Sequence, residues 1–224
     1  ENLPFIDAVK KLADRASITI TEEAHDPESD RKRRKISRIK ELNNKTARFY
    51  HEQLLKNPDA EHARRYLKSR GFTKEVAEKW LIGWAPRNSN LFLQMARAGS
   101  FTGREIVQAG LGGQKDKENP RSGLYVKFYD QLTFPIHNDY GDVVGFSSRI
   151  LREDDKRGKY INTSETPLFK KSKLLFGLDK ARKHMGNKKF ALICEGQVDA
   201  IVLHEAGFEN TVAGLGTALT EEHA

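Results

Sequence analysis

Glu195 stands two residues past the apolar run Phe190-Ala191-Leu192-Ile193 and is followed at once by Gly196 and a helical stretch. A carboxylate at the carboxyl end of a strand lies where open α/β sheets gather their chemistry. Asp199 comes four residues later, in the first turn of a predicted helix that carries Val198, Ile201, Val202 and Ala206. Two such acids are a fair start toward a hard divalent cation such as Mg2+, which takes several oxygen ligands, but they are not a complete cage. The same pair also fits a plainer arrangement, with Glu195 capping the helix and Asp199 complementing its positive end.

The elements that must hold these acids are a strand, the helix ending at Gly207, and a second strand at Thr211-Val212-Ala213, with a helix start at Thr220-Glu221-Glu222. That is a βαβ crossover between parallel strands, and alone it has too few strands for a finished α/β domain. Both ends of the chain are expected to be cut from something longer.

Upstream, Phe5, Val9, Leu12, Ala13 and Ala16 form an amphipathic stripe. A polar stretch from Glu22 to Lys40 follows; its run Asp30 to Lys35 reads as a solvated helix, a linker or a basic arm. From Lys45 to Ala109 the apolar spacing is helical, with caps predicted at Thr73 and Ser89 and a capping box at Thr102 and Glu105. Trp80 and Trp84 are expected in the core. After the Gly-rich loop Leu111-Gly112-Gly113 the pattern becomes strands at Leu124–Val126, Leu132–Ile136 and Val143–Leu151. The short link from His137 to Asp142 supports an antiparallel hairpin, while Pro135 argues for a strand end or edge. Leu174 to Lys183 reads as a short helix.

The chain of 224 residues has 39 Lys and Arg against 31 Asp and Glu, a net charge of +8 that favours a polyanionic partner. Its single cysteine, Cys194, excludes an internal disulfide, and no Cys/His cluster offers a zinc site. The expected compartment is cytosolic. No apolar run approaches the ~20 residues of a membrane span.

The string Glu195-Gly196-Gln197-Val198-Asp199, followed by Gly207-Phe208-Glu209-Asn210-Thr211-Val212-Ala213 and Gly216-Thr217-Ala218-Leu219-Thr220, resembles the opening of the TOPRIM fold in bacterial-type DNA primases. Leu132 to Ile136, Gly145 to Arg149, Lys159 to Asn162 and Glu165 to Phe169 are similar to the same family's template-binding subdomain. So are Tyr66 to Gly71 and Ile82 to Pro86, and the resemblance covers most of the chain.

The resemblance implies an α+β fold, with a helical and antiparallel-sheet subdomain over residues 1–185 (helical 1–110, mixed sheet 111–185). A truncated α/β TOPRIM-like part over 186–224 follows it. It implies a DNA-directed RNA polymerase, a nucleotidyltransferase of the replisome that writes short RNA primers on single-stranded DNA from ribonucleotides. Glu195 takes the catalytic role, and Glu195 and Asp199 form a partial Mg2+ or Mn2+ site. Lys127, Arg149, Lys159 and Lys171 match basic positions and are expected to meet phosphates, with Tyr160 offering a ring on which a base can stack. Singly, each is also what a solvated surface or a core ring would supply.

The family's downstream Asp-x-Asp metal ligands have no counterpart, so the fragment is expected to bind nucleic acid without making primers. The zinc ribbon and the domain that binds the replicative helicase are also expected to lie elsewhere, and no membrane is implied. Ser147 and Ser148 stand where the family has glycines, Gln131 where arginine is common, and Gln197-Val198 where Tyr-Met is usual. Two alternatives stay open: a non-catalytic single-strand-binding module, and a topoisomerase- or nuclease-like TOPRIM enzyme.

Overall fold

The computed structural model describes residues 12, 13, 15, 16, 26–116, 118, 119, 122–152, 158–216 and 219–223. Most of the stripe expected from Phe5 to Ala16 lies outside the described residues. The chain divides into two compact units, Glu1–Lys35 and Ile36–Ala224. In the first, the described residues include the beginning of a helix, where Arg33 pairs with Asp30 one turn away. The polar stretch is therefore a solvated helix from Pro27 onward.

That helix, α1 (Pro27–Lys56), is followed by α2 (Glu61–Ser69), α3 (Lys74–Lys79), β1 (Gly83–Ala85), α4 (Asn90–Ala98) and α5 (Gly103–Gln108). Next come β2 (Gly112–Gln114), β3 (Leu124–Val126), β4 (Gln131–His137), β5 (Val143–Ile150) and β6 (Tyr160–Asn162). The chain continues through α6 (Leu178–Lys188), β7 (Leu192–Cys194), α7 (Gln197–Glu205) and β8 (Thr211–Ala213). The arrangement is α+β, with a central antiparallel sheet in the order β1-β4-β5-β6 and a parallel pair β7-β8.

Local chemistry sets most of these boundaries. The Thr73 hydroxyl accepts the Val76 N–H at 3.3 Å and starts α3. At α5 the Thr102 hydroxyl accepts the Glu105 N–H while the Glu105 carboxylate accepts the Thr102 N–H at 2.7 Å, a reciprocal cap that satisfies two otherwise orphaned donors. Ser89 occupies the cap of α4 without a side-chain bond; the Asn88 amide oxygen accepts the Asn90 N–H instead.

Four expectations change. The stretch read as wholly helical contains β1, which pairs with β4 from Gly83–Thr133 to Ala85–Gln131. Gly112 and Gly113 are not a loop but part of β2, antiparallel to β3. Pro135 sits inside an interior strand, yet the β1 ladder stops at Thr133, so its missing N–H leaves no partner in β1 unbonded. The helix expected from Leu174 begins only at Leu178, because Leu175 and Phe176 are buried in extended chain and Gly177 turns at φ 82°.

Residues opposed across antiparallel strands share a face. One face carries Leu132, Arg149 and Tyr160, and beside them Phe134, Ser147 and Asn162. The apolar part of this face packs with Leu67, Val76 and Trp80 and also with Val198, Ile201, Ala213 and Leu215 of the βαβ part. The other face presents Phe146 to Ile39, Leu42 and Tyr50 of α1 and to Phe92 and Ile106. The sheet thus lies between two cores, one of which it shares with the β7-α7-β8 segment. Trp80 marks that seam: its ring stacks on Phe176 at 5.5 Å, meets the His204 edge at 5.0 Å, and its N–H donates to Glu205 at 3.1 Å.

Two histidines, His204 buried and His137 partly so, make stability depend on pH. Burial lowers the pKa of His204, whose ring N–H donates to the Thr211 carbonyl at 2.8 Å, and burial likewise lowers that of His137. The unfolded chain takes protons on these rings near pH 6.5, the folded chain only at lower pH, so stability is full above that value and declines as pH falls below it. Carboxylates such as Glu205, brought below the usual range by Lys79 and Trp80 despite burial, act only below about pH 4.5. A thermal midpoint that is flat from pH 8 to 7 and falls between pH 6.5 and 5 is expected; a midpoint unchanged down to pH 5 would contradict this origin.

Candidate nucleic-acid interface

Glu195 follows β7 directly, and Gly196, not Glu195, is the residue before the first turn of α7. Its φ of −123° and ψ of 153° are extended, and no side chain caps the helix. The Glu195 carboxylate is exposed, so it is not consumed as a cap. The strand that delivers it is less buried than its apolar residues suggest: Ile193 is 53% exposed, and among the described residues β7 pairs only with β8. Asp199 lies in the first turn of α7, where the helix dipole favours an acid. Its carboxylate oxygen folds back over Gly196, within 2.9 Å of where a Cβ at 196 would stand. A side chain at 196 would displace it.

Arg149 and Tyr160 face each other across β5 and β6, and the Arg149 guanidinium donates to the Tyr160 hydroxyl at 2.6 Å. The same guanidinium carbon lies 5.2 Å from the Tyr160 ring centre and 4.9 Å from that of Tyr66, which comes from α2. Burial raises the pKa of the Tyr160 phenol; Arg149 opposes the rise and the nearby charge of Asp199 adds to it. The acid of the first α7 turn is therefore within electrostatic reach of the basic sheet face. Asn162 strengthens the join by donating its amide N–H to the Leu215 carbonyl at 2.7 Å.

Lys127 and Lys171 form a second basic group. The Lys127 ammonium donates to the Ser164 hydroxyl at 2.6 Å, and burial lowers its pKa, helped by the positive charge of Lys171. Lys171 is held through its backbone, whose N–H donates to Glu165 at 3.1 Å and whose carbonyl accepts from the His223 ring at 2.9 Å. Two half-buried lysines that repel one another are stabilised when an anion joins them. Lys159 is exposed just before β6, and among the described residues no side-chain bond joins it to either group.

Of the residues singled out in the sequence, the structure joins Arg149 to Tyr160, with Asp199 in electrostatic reach of Tyr160 and Glu195 four residues before it in the chain, and sets Lys127 in reach of Lys171. Tyr66 and Ser164 were not singled out. Tyr66 opens the Tyr66 to Gly71 string that resembles the template-binding subdomain, but its own position reads as an apolar one of a helical stripe, with its spacing from Arg70 hinting at a cation beside it. Among the described residues no group of three or more His, Cys, Asp or Glu could hold a metal ion. Glu195 and Asp199 still supply oxygen ligands of the type that Mg2+ accepts, and that ion commonly uses one or two carboxylates completed by water and substrate phosphate.

Residues 49–182 match the family described as DNA primase catalytic core, N-terminal domain, and residues 189–224 match the Toprim domain. The DNA primase of Deinococcus radiodurans is 40% identical over 225 residues, covering 100% of this chain and 36% of the relative. The chain spans about a third of the length of the curated relatives it matches. Among solved structures, the RNA polymerase domain of Mycobacterium tuberculosis primase DnaG, in complex with a double-stranded DNA oligomer carrying a 6-nucleotide overhang, is 36% identical with a TM-score of 0.77. That match covers 84% of this chain and 57% of the other. A DnaG primase catalytic domain bound to ssDNA is 30% identical with a TM-score of 0.72, covering 85% and 57% of the two chains.

Proposed function

Because the chain belongs to the DNA primase catalytic-core family, we propose that it is the part of a primase that receives single-stranded DNA and presents the first acids of nucleotidyl transfer. The observation that carries this reading is the Arg149 guanidinium held by Tyr160 on a sheet face that packs against the βαβ part bearing Glu195 and Asp199. A cation and a ring on a sheet face suit phosphate and base, and the acid beside them suits the reacting end of the polymer. The family match over residues 49–182 disfavours the topoisomerase- or nuclease-like alternative.

In the whole enzyme the activity is synthesis of RNA primers from ribonucleotides on a DNA template. Glu195, exposed and without a partner among the described residues, is the candidate proton acceptor at the primer terminus; with Asp199 it would hold Mg2+ or Mn2+. Such an ion, when bound, stabilises charge on the transferring phosphoryl group. Arg149 is suited to the template or nucleotide phosphate, Tyr160 to orienting Arg149 and stacking a base, and Lys127 with Lys171 to a further phosphate. Lys159, on the exposed approach to β6, is a peripheral contact. We assign no described residue to the replicative helicase, and we place the enzyme with DNA in the cytoplasm. We also propose a division near residue 185 between template-binding and TOPRIM parts, supported by the two matched segments.

The test is fluorescence anisotropy of a labelled single-stranded oligonucleotide across a salt series. Each neutralised phosphate contributes a slope of about −0.7 in log K against log salt for single strands. Replacing Lys127 and Lys171 together by alanine should therefore flatten the slope by about 1.4. An unchanged slope would remove the two lysines from the interface, and a wild-type chain that does not bind would remove the interface itself.

A further inference from the structure

Tyr66 does not belong to the sheet that carries the basic face, yet its ring is where two guanidinium groups converge. The Arg149 carbon lies 4.9 Å from its centre and that of Arg70, four residues further along the chain, lies 5.5 Å away. We propose that Tyr66 is a positioning residue for nucleic-acid binding: from α2 it holds the Arg149 guanidinium against Tyr160 before any ligand arrives, and it joins Arg70 to the same basic patch. The inference rests on reading the sheet face as a nucleic-acid interface.

The geometry separates the work of the ring from that of its hydroxyl. The Tyr66 hydroxyl is buried without a hydrogen-bond partner, and so is the Arg149 Nε. A hydroxyl kept from water without a partner contributes nothing favourable to the fold. The ring, by contrast, supplies a negative face to a planar cation. Tyr160 occupies the other guanidinium contact and also accepts its hydrogen bond. An arginine on the end of a long side chain loses rotamer freedom when it grips a phosphate, and stacking it beforehand moves that loss into folding. Phenylalanine at 66 preserves this function and leucine abolishes it.

The experiment follows the Arg149 side-chain Nε–Hε resonance in the 224-residue chain, identified by its disappearance in Arg149→Lys, together with single-stranded oligonucleotide affinity. In the wild type the flanking rings should shift this proton from the position of an exposed arginine. Tyr66→Phe should leave the resonance in place and affinity within about twofold, whereas Tyr66→Leu should move it toward exposed-arginine values and weaken binding about fivefold. Tyr66→Met replaces leucine if leucine unfolds the chain. A resonance unmoved in Tyr66→Leu, or a Tyr66→Phe variant as impaired as leucine, overturns the proposal. A wild-type chain that fails to bind overturns the interface and the binding role of Tyr66 with it, while the resonance still tells whether the ring holds Arg149.

Discussion

Replacing Arg149 by alanine should weaken binding of a single-stranded oligonucleotide about thirtyfold. A hydrogen bond to a charged group in a half-buried setting contributes about 2 kcal/mol, and 1.4 kcal/mol is tenfold in affinity. The guanidinium is aimed before binding by the Tyr160 hydroxyl and by two rings, so its removal takes away a preorganised contact and leaves a gap between Tyr66 and Tyr160. Arg149→Lys retains the charge but loses the planar stack and the fork of donors, and should recover only part of the affinity, to about fivefold below wild type. Anisotropy at one fixed salt concentration, with the unfolding midpoint measured alongside, decides the matter. Alanine within threefold of wild type, or lysine equal to it, would place Arg149 outside the binding surface.

The second large effect is on stability. A Cβ at Gly83 would stand 2.6 Å from the Tyr50 Cβ, 2.7 Å from the Tyr50 carbonyl carbon and 2.7 Å from the Thr133 hydroxyl. The first two belong to the body of α1, which is pressed against β1 and cannot yield by a rotamer change. Gly83→Ala is expected to cost about 3 kcal/mol, at the upper end of what an added methyl does in a packed core. Gly141→Ala is the control: φ there is 80° and nothing lies within 4 Å, so only the left-handed conformation is penalised, by about 1 kcal/mol. Urea unfolding of both variants measures the difference. Equal costs would mean that α1 shifts away from the sheet without loss.

Wherever the physics was local, the sequence announced the structure. The Thr73 and Thr102 caps and the helix ending at Gly207 follow from residues a few positions apart, and the β4-β5 hairpin and the parallel β7-β8 pair from residues within about twenty. The short strands did not announce themselves. Gly83–Ala85 is buried on both sides, so it has no polar alternation, and Gly112–Gln114 wears the glycines of a loop because the Tyr125 carbonyl passes too close for any Cβ at 112. The site shows the same limit. Glu195, Asp199, Arg149 and Tyr160 could be nominated from their motifs, but the convergence of α2, β5 and β6 depends on packing between residues far apart in the chain, such as Tyr66 and Arg149. Tyr66, a stripe residue by its spacing, acquires a role only through that convergence.

Trp80 gives the seam between the sheet and the βαβ segment an optical signature. The chain has two tryptophans, and this one shares its surroundings with Phe176 and Lys180 from one side and His204 and Glu205 of α7 from the other. A protonated imidazole at the edge of an indole quenches its emission, and burial holds His204 neutral until the solution is more acid than a free histidine requires. Intrinsic fluorescence therefore reads the docking of α7 against α3 without any label, and separation of the two parts changes the colour and intensity of the emission before either core is lost.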